Sequence, residues 1–273
     1  MTTTTLKILT YILIFFLFVS CTNSTSQNTH ESNASLTIPK SNFEARKSSI
    51  AINDNSKISV KVLTTGTFHN NEVWENADKA NWFGLFKHHQ SYYLQLTKIK
   101  TINVNDPFDE DENIKTGWEV TAENKDSCLI LIEALSYLTD RKVESIPLIK
   151  NYVFPSDTIK FTYLEVDYKI FATGRKKKTQ EDSEWFDVSD YKLYLIATIN
   201  GLEKKSLLVD EPNFDDQMIE LLFTGDIDGD GILDLIIDTS NHYNVSSPTI
   251  YLSKSANEGE IVKRIGEHTI VGC

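Results

Sequence analysis

The sequence is short of basic charge. It has 27 lysine and arginine residues against 39 aspartate and glutamate residues, which gives a formal net charge of −12 over 273 residues. Its densest basic run, residues 175–178 (RKKK), is soon followed by acidic residues. Proteins bind nucleic acids largely through clustered basic side chains. We therefore expect no nucleic-acid partner.

The N-terminus lacks an apolar run long enough to span a bilayer. Residues 8–19 are mostly apolar and follow a single Lys7, whereas a spanning helix needs about 20 apolar residues. Such a pattern is typical of a secretory signal. Residues 18–21 (FVSC) resemble a bacterial lipobox, with Phe18 where Leu is usual. The resemblance implies a lipoprotein signal peptide at residues 1–20 and lipidation of Cys21, with a plain signal peptide or an uncleaved anchor as alternatives.

The residues after the signal indicate where the protein would be held. Thr22 stands directly after Cys21, and by analogy with Gram-negative sorting a residue other than Asp there favours the outer membrane. Residues 21–56 are rich in Ser, Thr and Asn, so they cannot bury enough apolar surface to offset the entropy of ordering. We predict a lipid-anchored envelope protein with a flexible tether at residues 21–56 and a folded domain at residues 57–273.

Cysteine is scarce, with three residues in the sequence. If Cys21 carries lipid, Cys128 and Cys273 remain, and two thiols in an exported protein favour a disulfide. Such a bond would close a loop of about 145 residues, worth roughly 5 kcal/mol at most in the chain-entropy relation. Two unpaired thiols are the alternative. A catalytic role for Cys128 fits less well because it lies in an apolar run.

Familiar catalytic motifs are missing too. The sequence contains no nucleophile elbow, HExxH helix, P-loop or dinucleotide fingerprint. His88 and His89 are adjacent, and we expect their side chains to point to opposite faces of a strand without sharing a metal ion. Residues 240–244 (SNHYN) could line a ligand surface or form a turn, which their residue types favour. An enzyme is therefore the less supported interpretation.

Strand patterns are abundant. Residues 58–62, 92–104, 161–168 and 191–199 alternate and are rich in Tyr, Phe, Thr, Val and Ile. The apolar run at residues 128–138 fits either a strand or a short helix, and we favour a strand followed by a helical turn. The sequence predicts a mainly β domain of antiparallel sheets, sandwich-like or forming a small open barrel, with one or two short helices.

The most informative stretch is an acidic loop between two short β-prone runs. It places four carboxylates within nine residues, and these would repel one another strongly without a cation. Calcium collects about six to eight oxygen ligands and tolerates irregular geometry. In the calcium-loop pattern, three alternate carboxylates precede a glycine, a backbone carbonyl and a further carboxylate. The residues at these ligand positions are Asp226, Asp228, Asp230, Ile232 through its carbonyl, and Asp234.

The flanks of the loop decide which calcium motif it matches. Gly231 occupies the glycine position, but Ile237 stands where an EF-hand needs a bidentate Glu. The strand–DxDxDGxxD–strand arrangement resembles the calcium loops of FG-GAP repeats in integrin-type β-propellers and of related bacterial VCBS repeats. The resemblance implies a Ca²⁺ site. A propeller would repeat its signature about every 40–50 residues, and the motif occurs once, so we expect no full propeller. A metal-free Asp/Gly turn is the alternative.

These features predict a lipid-anchored cell-envelope protein with a structural Ca²⁺ site. We expect a non-catalytic binding or structural module with an unidentified carbohydrate or protein ligand. The alternative is a calcium-dependent hydrolase of envelope polysaccharide or peptidoglycan, in which the cation shapes a substrate groove. A concave pocket containing a pair of carboxylates would favour the hydrolase.

Overall fold

The computed structural model describes residues 60–69, 71–106, 114–179 and 186–272. The predicted signal peptide, the lipidation site Cys21, the tether and Cys273 lie outside these residues. Across the described ranges, no helix combines the length and the apolar character that crossing a bilayer requires.

The regular secondary structure of the described residues is almost entirely β. One helical element, a 3₁₀ turn at Ala77–Lys79, lies between the second and third strands. The strands are β1 (Val62–Leu63), β2 (Gly66–Phe68), β3 (Trp82–His88), β4 (Ser91–Thr97), β5 (Ile99–Val104), β6 (Gly117–Ala122), β7 (Ser127–Glu133), β8 (Arg141–Val143), β9 (Thr158–Tyr163), β10 (Val166–Lys178), β11 (Phe186–Ile199), β12 (Leu202–Asn213), β13 (Glu220–Gly225), β14 (Asp234–Asp238), β15 (Val245–Ser246), β16 (Pro248–Leu252), β17 (Lys263–Glu267) and β18 (Ile270–Val271).

Every pairing between these strands is antiparallel. The strand orders are β1-β7-β3-β4-β8, β2-β6-β5, β12-β11-β10-β9, β13-β14-β16-β17 and β15-β18. The prediction of a mainly β, antiparallel fold is confirmed. Within the described ranges the sheets close into neither a barrel nor a propeller.

The sheet that carries the acidic loop is covered on both faces. Its strand β14 is buried along its whole length. Leu235 and Ile237 pack in a core with residues of β10, β11 and β12. Ile236, which points the opposite way because strand side chains alternate, packs in a second core with residues of β3, β4 and β7. The sheet β13-β14-β16-β17 is therefore the middle layer between two others.

Two predicted strands are divided in the structure. Residues 92–104 break at Lys98, because β4 and β5 belong to different sheets. Alternation identifies which side chains face inward, and it does not show where a strand changes its partner. Residues 161–168 form a hairpin between β9 and β10, with Leu164 and Glu165 in left-handed conformations of φ 43° and 65°. The sequence gives no warning of this turn because it lacks the Gly or Asn that usually marks one.

The structure confirms half of the prediction for residues 128–138. Strand β7 occupies its first part, as expected. The expected helical turn is instead a tight turn closed by the Leu138 N–H, which donates to the Leu135 carbonyl at 3.1 Å. Both leucines pack into the same core. The three-residue spacing of these leucines, which a helix would also give, therefore reflects their burial in one core.

Candidate metal centre

The acidic loop joins β13 to β14, which pair directly, with Gly225 opposite Asp234. The expected strand–loop–strand arrangement is therefore present. Gly229 and Gly231 have φ values of 85° and 82°, a left-handed conformation that side chains other than glycine adopt with strain. The glycines let the loop reverse tightly enough to bring its carboxylates together.

Three of the predicted ligands meet in the structure. Carboxylate oxygens of Asp226, Asp228 and Asp234 lie within 4.8 Å of one another. The three residues are 4%, 4% and 0% exposed, respectively. Buried carboxylates are rare unless they are paired or coordinated. This group is therefore the part of the loop whose geometry most needs an explanation.

Asp234 fixes the shape of the loop. Its Oδ2 accepts hydrogen bonds from the Ile227 N–H at 2.7 Å and the Asp228 N–H at 3.0 Å. Its Oδ1 accepts from the Ser253 N–H at 2.7 Å. One side chain thus closes the loop on itself and ties it to the residue that follows β16.

Asp228 differs because only one of its oxygens is engaged. Its Oδ2 accepts from the Lys254 N–H at 3.0 Å and lies 3.4 Å from the Ser253 hydroxyl. Its Oδ1 is buried and has no hydrogen-bond partner among the described residues. Leaving a buried oxygen unsatisfied costs about 1–3 kcal/mol, and more for a charged group. A cation at this oxygen would remove that cost.

Asp226 is surrounded by donors. Its Oδ1 accepts from the Gly229 N–H at 2.6 Å and its Oδ2 from the Gly231 N–H at 3.1 Å. The Arg141 guanidinium also contacts both oxygens, each at 3.3 Å. Arg141 therefore supplies a positive charge at one edge of the carboxylate group.

The fourth predicted carboxylate, Asp230, lies outside the three-carboxylate group. The Asp230 side chain is exposed, and its Oδ1 accepts from the Ile232 N–H at 2.8 Å and from the Ser253 hydroxyl at 3.0 Å. Since the Ser253 hydroxyl also contacts Asp228, it links Asp230 to the buried group. The structure thus brings three of the four carboxylates together and holds the fourth at the rim.

The environment disfavours charge on two of these carboxylates. Burial, with the nearby charges of Asp230 and Asp226, raises the pKa of Asp228 to about 6. Burial and then the charge of Asp228 raise the pKa of Asp234 well above its usual range. Both shifts have the direction expected of buried carboxylates that lie close to other negative charges.

The sequence did not indicate three residues around the loop. Arg141 precedes Asp226 by 85 positions, while Ser253 and Lys254 follow β16. They reach the loop because β8 lies at the edge of one sheet and β16 pairs with β14 in another. No local pattern marks them, so only the arrangement of sheets could have identified them.

Of the two histidine-containing segments, residues 88–89 differ from expectation and residues 240–244 contain the turn that their residue types favour. The rings of His88 and His89 lie 4.4 Å apart, not on opposite faces, because β3 ends at His88 and His89 turns the chain with φ 54°. They belong to no group of three possible metal ligands among the described residues. Residues 240–244 follow Asp238, the end of β14 opposite the acidic loop. They therefore do not line the metal centre.

The cysteine predictions are not decided by these residues. Cys128 packs beside the core residues Leu63, Trp82 and Leu131, and burial raises the pKa of its thiol to about 12. A thiol with so high a pKa is a poor nucleophile at neutral pH. Its predicted partner Cys273 lies outside the described residues, so the disulfide stays a prediction.

An open pocket of about 460 Å³ lies on the sheet formed by β9, β10 and β11. Its lining contains one carboxylate, that of Asp167. It is thus distinct from the acidic loop and does not present a carboxylate pair.

Comparisons with protein-family models, with curated proteins and with solved structures give no match to this chain.

Proposed function

We propose that the chain is a lipid-anchored protein of the cell envelope whose β-rich domain holds one structural Ca²⁺ ion at the acidic loop. Its role is that of a non-catalytic binding or structural module for a carbohydrate or protein ligand, at the outer membrane of a Gram-negative bacterium. The observation that carries the metal site is the partnerless, buried Oδ1 of Asp228 inside a group of three carboxylates.

The donor set fits calcium. All of the converging groups are carboxylate oxygens, which are the ligands that hard divalent cations prefer. Asp226, Asp228 and Asp234 would hold the ion, with Asp230 and the Ile232 carbonyl as the additional ligands suggested by the loop pattern. The ion would supply positive charge where three buried carboxylates face one another, and so would fix the turn between β13 and β14.

The alternative, a calcium-dependent hydrolase, receives no specific support from the described residues. Asp228 and Asp234 are buried and bonded to backbone N–H groups, so neither is presented to a substrate. The pocket on β9, β10 and β11 has the single carboxylate of Asp167. Hydrolysis of a glycosidic bond ordinarily needs two.

Calcium is expected to raise the melting temperature of the full chain by roughly 5–10 °C relative to its value in EDTA. At a concentration about 100 times its dissociation constant, a ligand adds about 2.7 kcal/mol to the free energy of unfolding. Each kcal/mol raises the melting temperature of a domain of this size by about 2–4 °C. Calorimetry at pH 7.5 with Ca²⁺ or EDTA measures the shift.

The raised pKa of Asp228 makes the stability of the metal-free protein depend on pH. Because the folded protein holds this proton more tightly than the unfolded chain, the free energy of unfolding in EDTA should fall as pH rises from 3.8 through about 6. The calcium shift should therefore be smaller at pH 5.

Two variants make this experiment decisive. Asp228→Ala removes the buried, partnerless oxygen and should abolish the calcium shift. Asp167→Ala, an exposed change on β10, should leave the shift intact. A wild-type protein whose melting temperature is the same in Ca²⁺ and in EDTA would overturn the metal site.

Lipidation is expected to depend on Cys21 alone. Cells fed an alkyne-bearing fatty acid should label the wild-type protein, and Cys21→Ser should lose the label and leave the membrane fraction. A lipid anchor needs a thiol at that position, while Cys128 lies on strand β7 of the folded domain. Cys128→Ser is therefore the matched control. Equal labelling of Cys21→Ser and wild type would contradict the proposed anchor.

A further inference from the structure

The hydrogen bonds of Asp226 occupy every acceptor position that a cation could use. A carboxylate offers about four lone-pair positions, two on each oxygen. In Asp226 each oxygen accepts one backbone N–H of the loop and one N–H of Arg141. All of its acceptor capacity is therefore in use. A metal ion that coordinates Asp226 must displace one of these donors.

The other two carboxylates of the group retain free capacity. The Oδ1 of Asp228 has no partner, and the Oδ1 of Asp234 accepts one backbone hydrogen bond, from the Ser253 N–H. A cation could thus contact the Oδ1 of Asp228 with no hydrogen bond broken. Asp226 is the one member of the group in which both oxygens accept two hydrogen bonds each.

Of the donors on Asp226, Arg141 is the one that can leave. The N–H groups of Gly229 and Gly231 belong to the loop and are fixed by its tight reversal. The Arg141 side chain is 27% exposed, so its guanidinium can exchange Asp226 for water. Its two contacts, at 3.3 Å, are also longer than the usual charge-assisted hydrogen bond of about 2.7–2.9 Å.

The guanidinium lies directly on the loop. A Cβ atom added to Gly229 would come within 2.3 Å of the Arg141 Nη1. Arg141 itself is the first residue of β8, and its backbone pairs with Leu94 of β4. The charge therefore reaches the acidic loop from a different sheet, and its removal would not break the β13–β14 hairpin.

We propose that Arg141 is a built-in competitor for the cation, which occupies Asp226 in the metal-free protein and releases it when the ion binds. This inference rests on the proposed metal site. Arg141 supports the loop without metal by compensating one carboxylate, and it weakens metal affinity because the ion must displace a positive charge from Asp226. Cation binding and the Arg141–Asp226 contact are thus linked, and each opposes the other.

Removal of this charge should strengthen calcium binding. Arg141→Gln is expected to bind Ca²⁺ about tenfold more tightly than wild type, in the usual range for two coupled equilibria. In EDTA the same variant should melt at a lower temperature, because Asp226 has lost its countercharge. Arg141→Lys keeps a charge but not the two-pronged geometry, so its affinity should lie between the two. Titration calorimetry of the full chain with CaCl₂ measures all three.

The control and a direct observation complete the test. Arg175→Gln removes an exposed arginine that is paired with Asp190 and should leave affinity unchanged. In NMR spectra of the wild type, the Nε–Hε resonance of Arg141 should move on addition of Ca²⁺ while that of Arg175 stays.

The outcomes separate this inference from the metal site itself. If wild type binds Ca²⁺ and Arg141→Gln and Arg141→Lys bind it no more tightly, the competition is overturned and the site stands. If neither wild type nor the Arg141 variants bind Ca²⁺, both are overturned.

Discussion

Asp234→Ala is expected to lower the free energy of unfolding by about 3–5 kcal/mol. The Asp234 carboxylate accepts hydrogen bonds from the backbone N–H groups of Ile227, Asp228 and Ser253. Each buried N–H left without an acceptor costs about 1–3 kcal/mol. Loss of the charge repulsion between Asp234 and Asp228 offsets part of that sum, which is why the expected total is below its upper limit.

Most of this loss should be seen both with and without calcium. The three hydrogen bonds hold the loop whether or not an ion is bound, so Asp234→Ala should melt roughly 10 °C below wild type even in EDTA. Asp228→Ala should stay closer to wild type in EDTA, because Asp228 accepts one such backbone hydrogen bond, from the Lys254 N–H, and its Oδ1 has no partner to lose. Urea unfolding of the two variants in EDTA, with Asp167→Ala as the exposed control, gives the comparison. Equal stability of Asp234→Ala and Asp228→Ala would contradict the structural role of Asp234.

The sequence was sufficient to locate the acidic loop because its information is local. The spacing of Asp226, Asp228 and Asp234, with the glycines between them, sets which carboxylates can meet within one turn. The flanking β-prone runs likewise predicted the hairpin. Asp230 was expected beside them, but its side chain turns to the rim, where Ser253 and the Ile232 N–H hold it.

What the sequence could not reveal is what approaches the loop from elsewhere. Arg141 and Ser253 reach it through strand pairings that no periodicity encodes, and they determine which carboxylate oxygens are already engaged. The break at Lys98 has the same origin, since alternating burial continues while the chain passes from one sheet to another. Local patterns thus predict side-chain direction, and partner strands decide the rest.

Because the sheet that carries the acidic loop lies between two others, we expect substitutions on either face of β14 to destabilise the protein strongly. Ile236→Ala and Ile237→Ala are each expected to destabilise the protein by about 3–4 kcal/mol, as buried Ile→Ala changes do. Both residues are fully buried, and they pack in different cores because adjacent strand residues face opposite ways.

Because the two isoleucines belong to different cores, their losses should add. The double variant should lose about 6–8 kcal/mol, which is comparable to the whole stability of a typical domain, about 5–15 kcal/mol. Urea unfolding followed by tryptophan fluorescence measures the free energy of unfolding of each variant. Ile149→Ala is the neutral control, because Ile149 is 99% exposed. A cost below about 1 kcal/mol for either single variant would show that the corresponding face is not covered. Since the acidic loop opens directly into β14, a sheet held from both sides also explains how three carboxylates can be kept buried at the end of that strand.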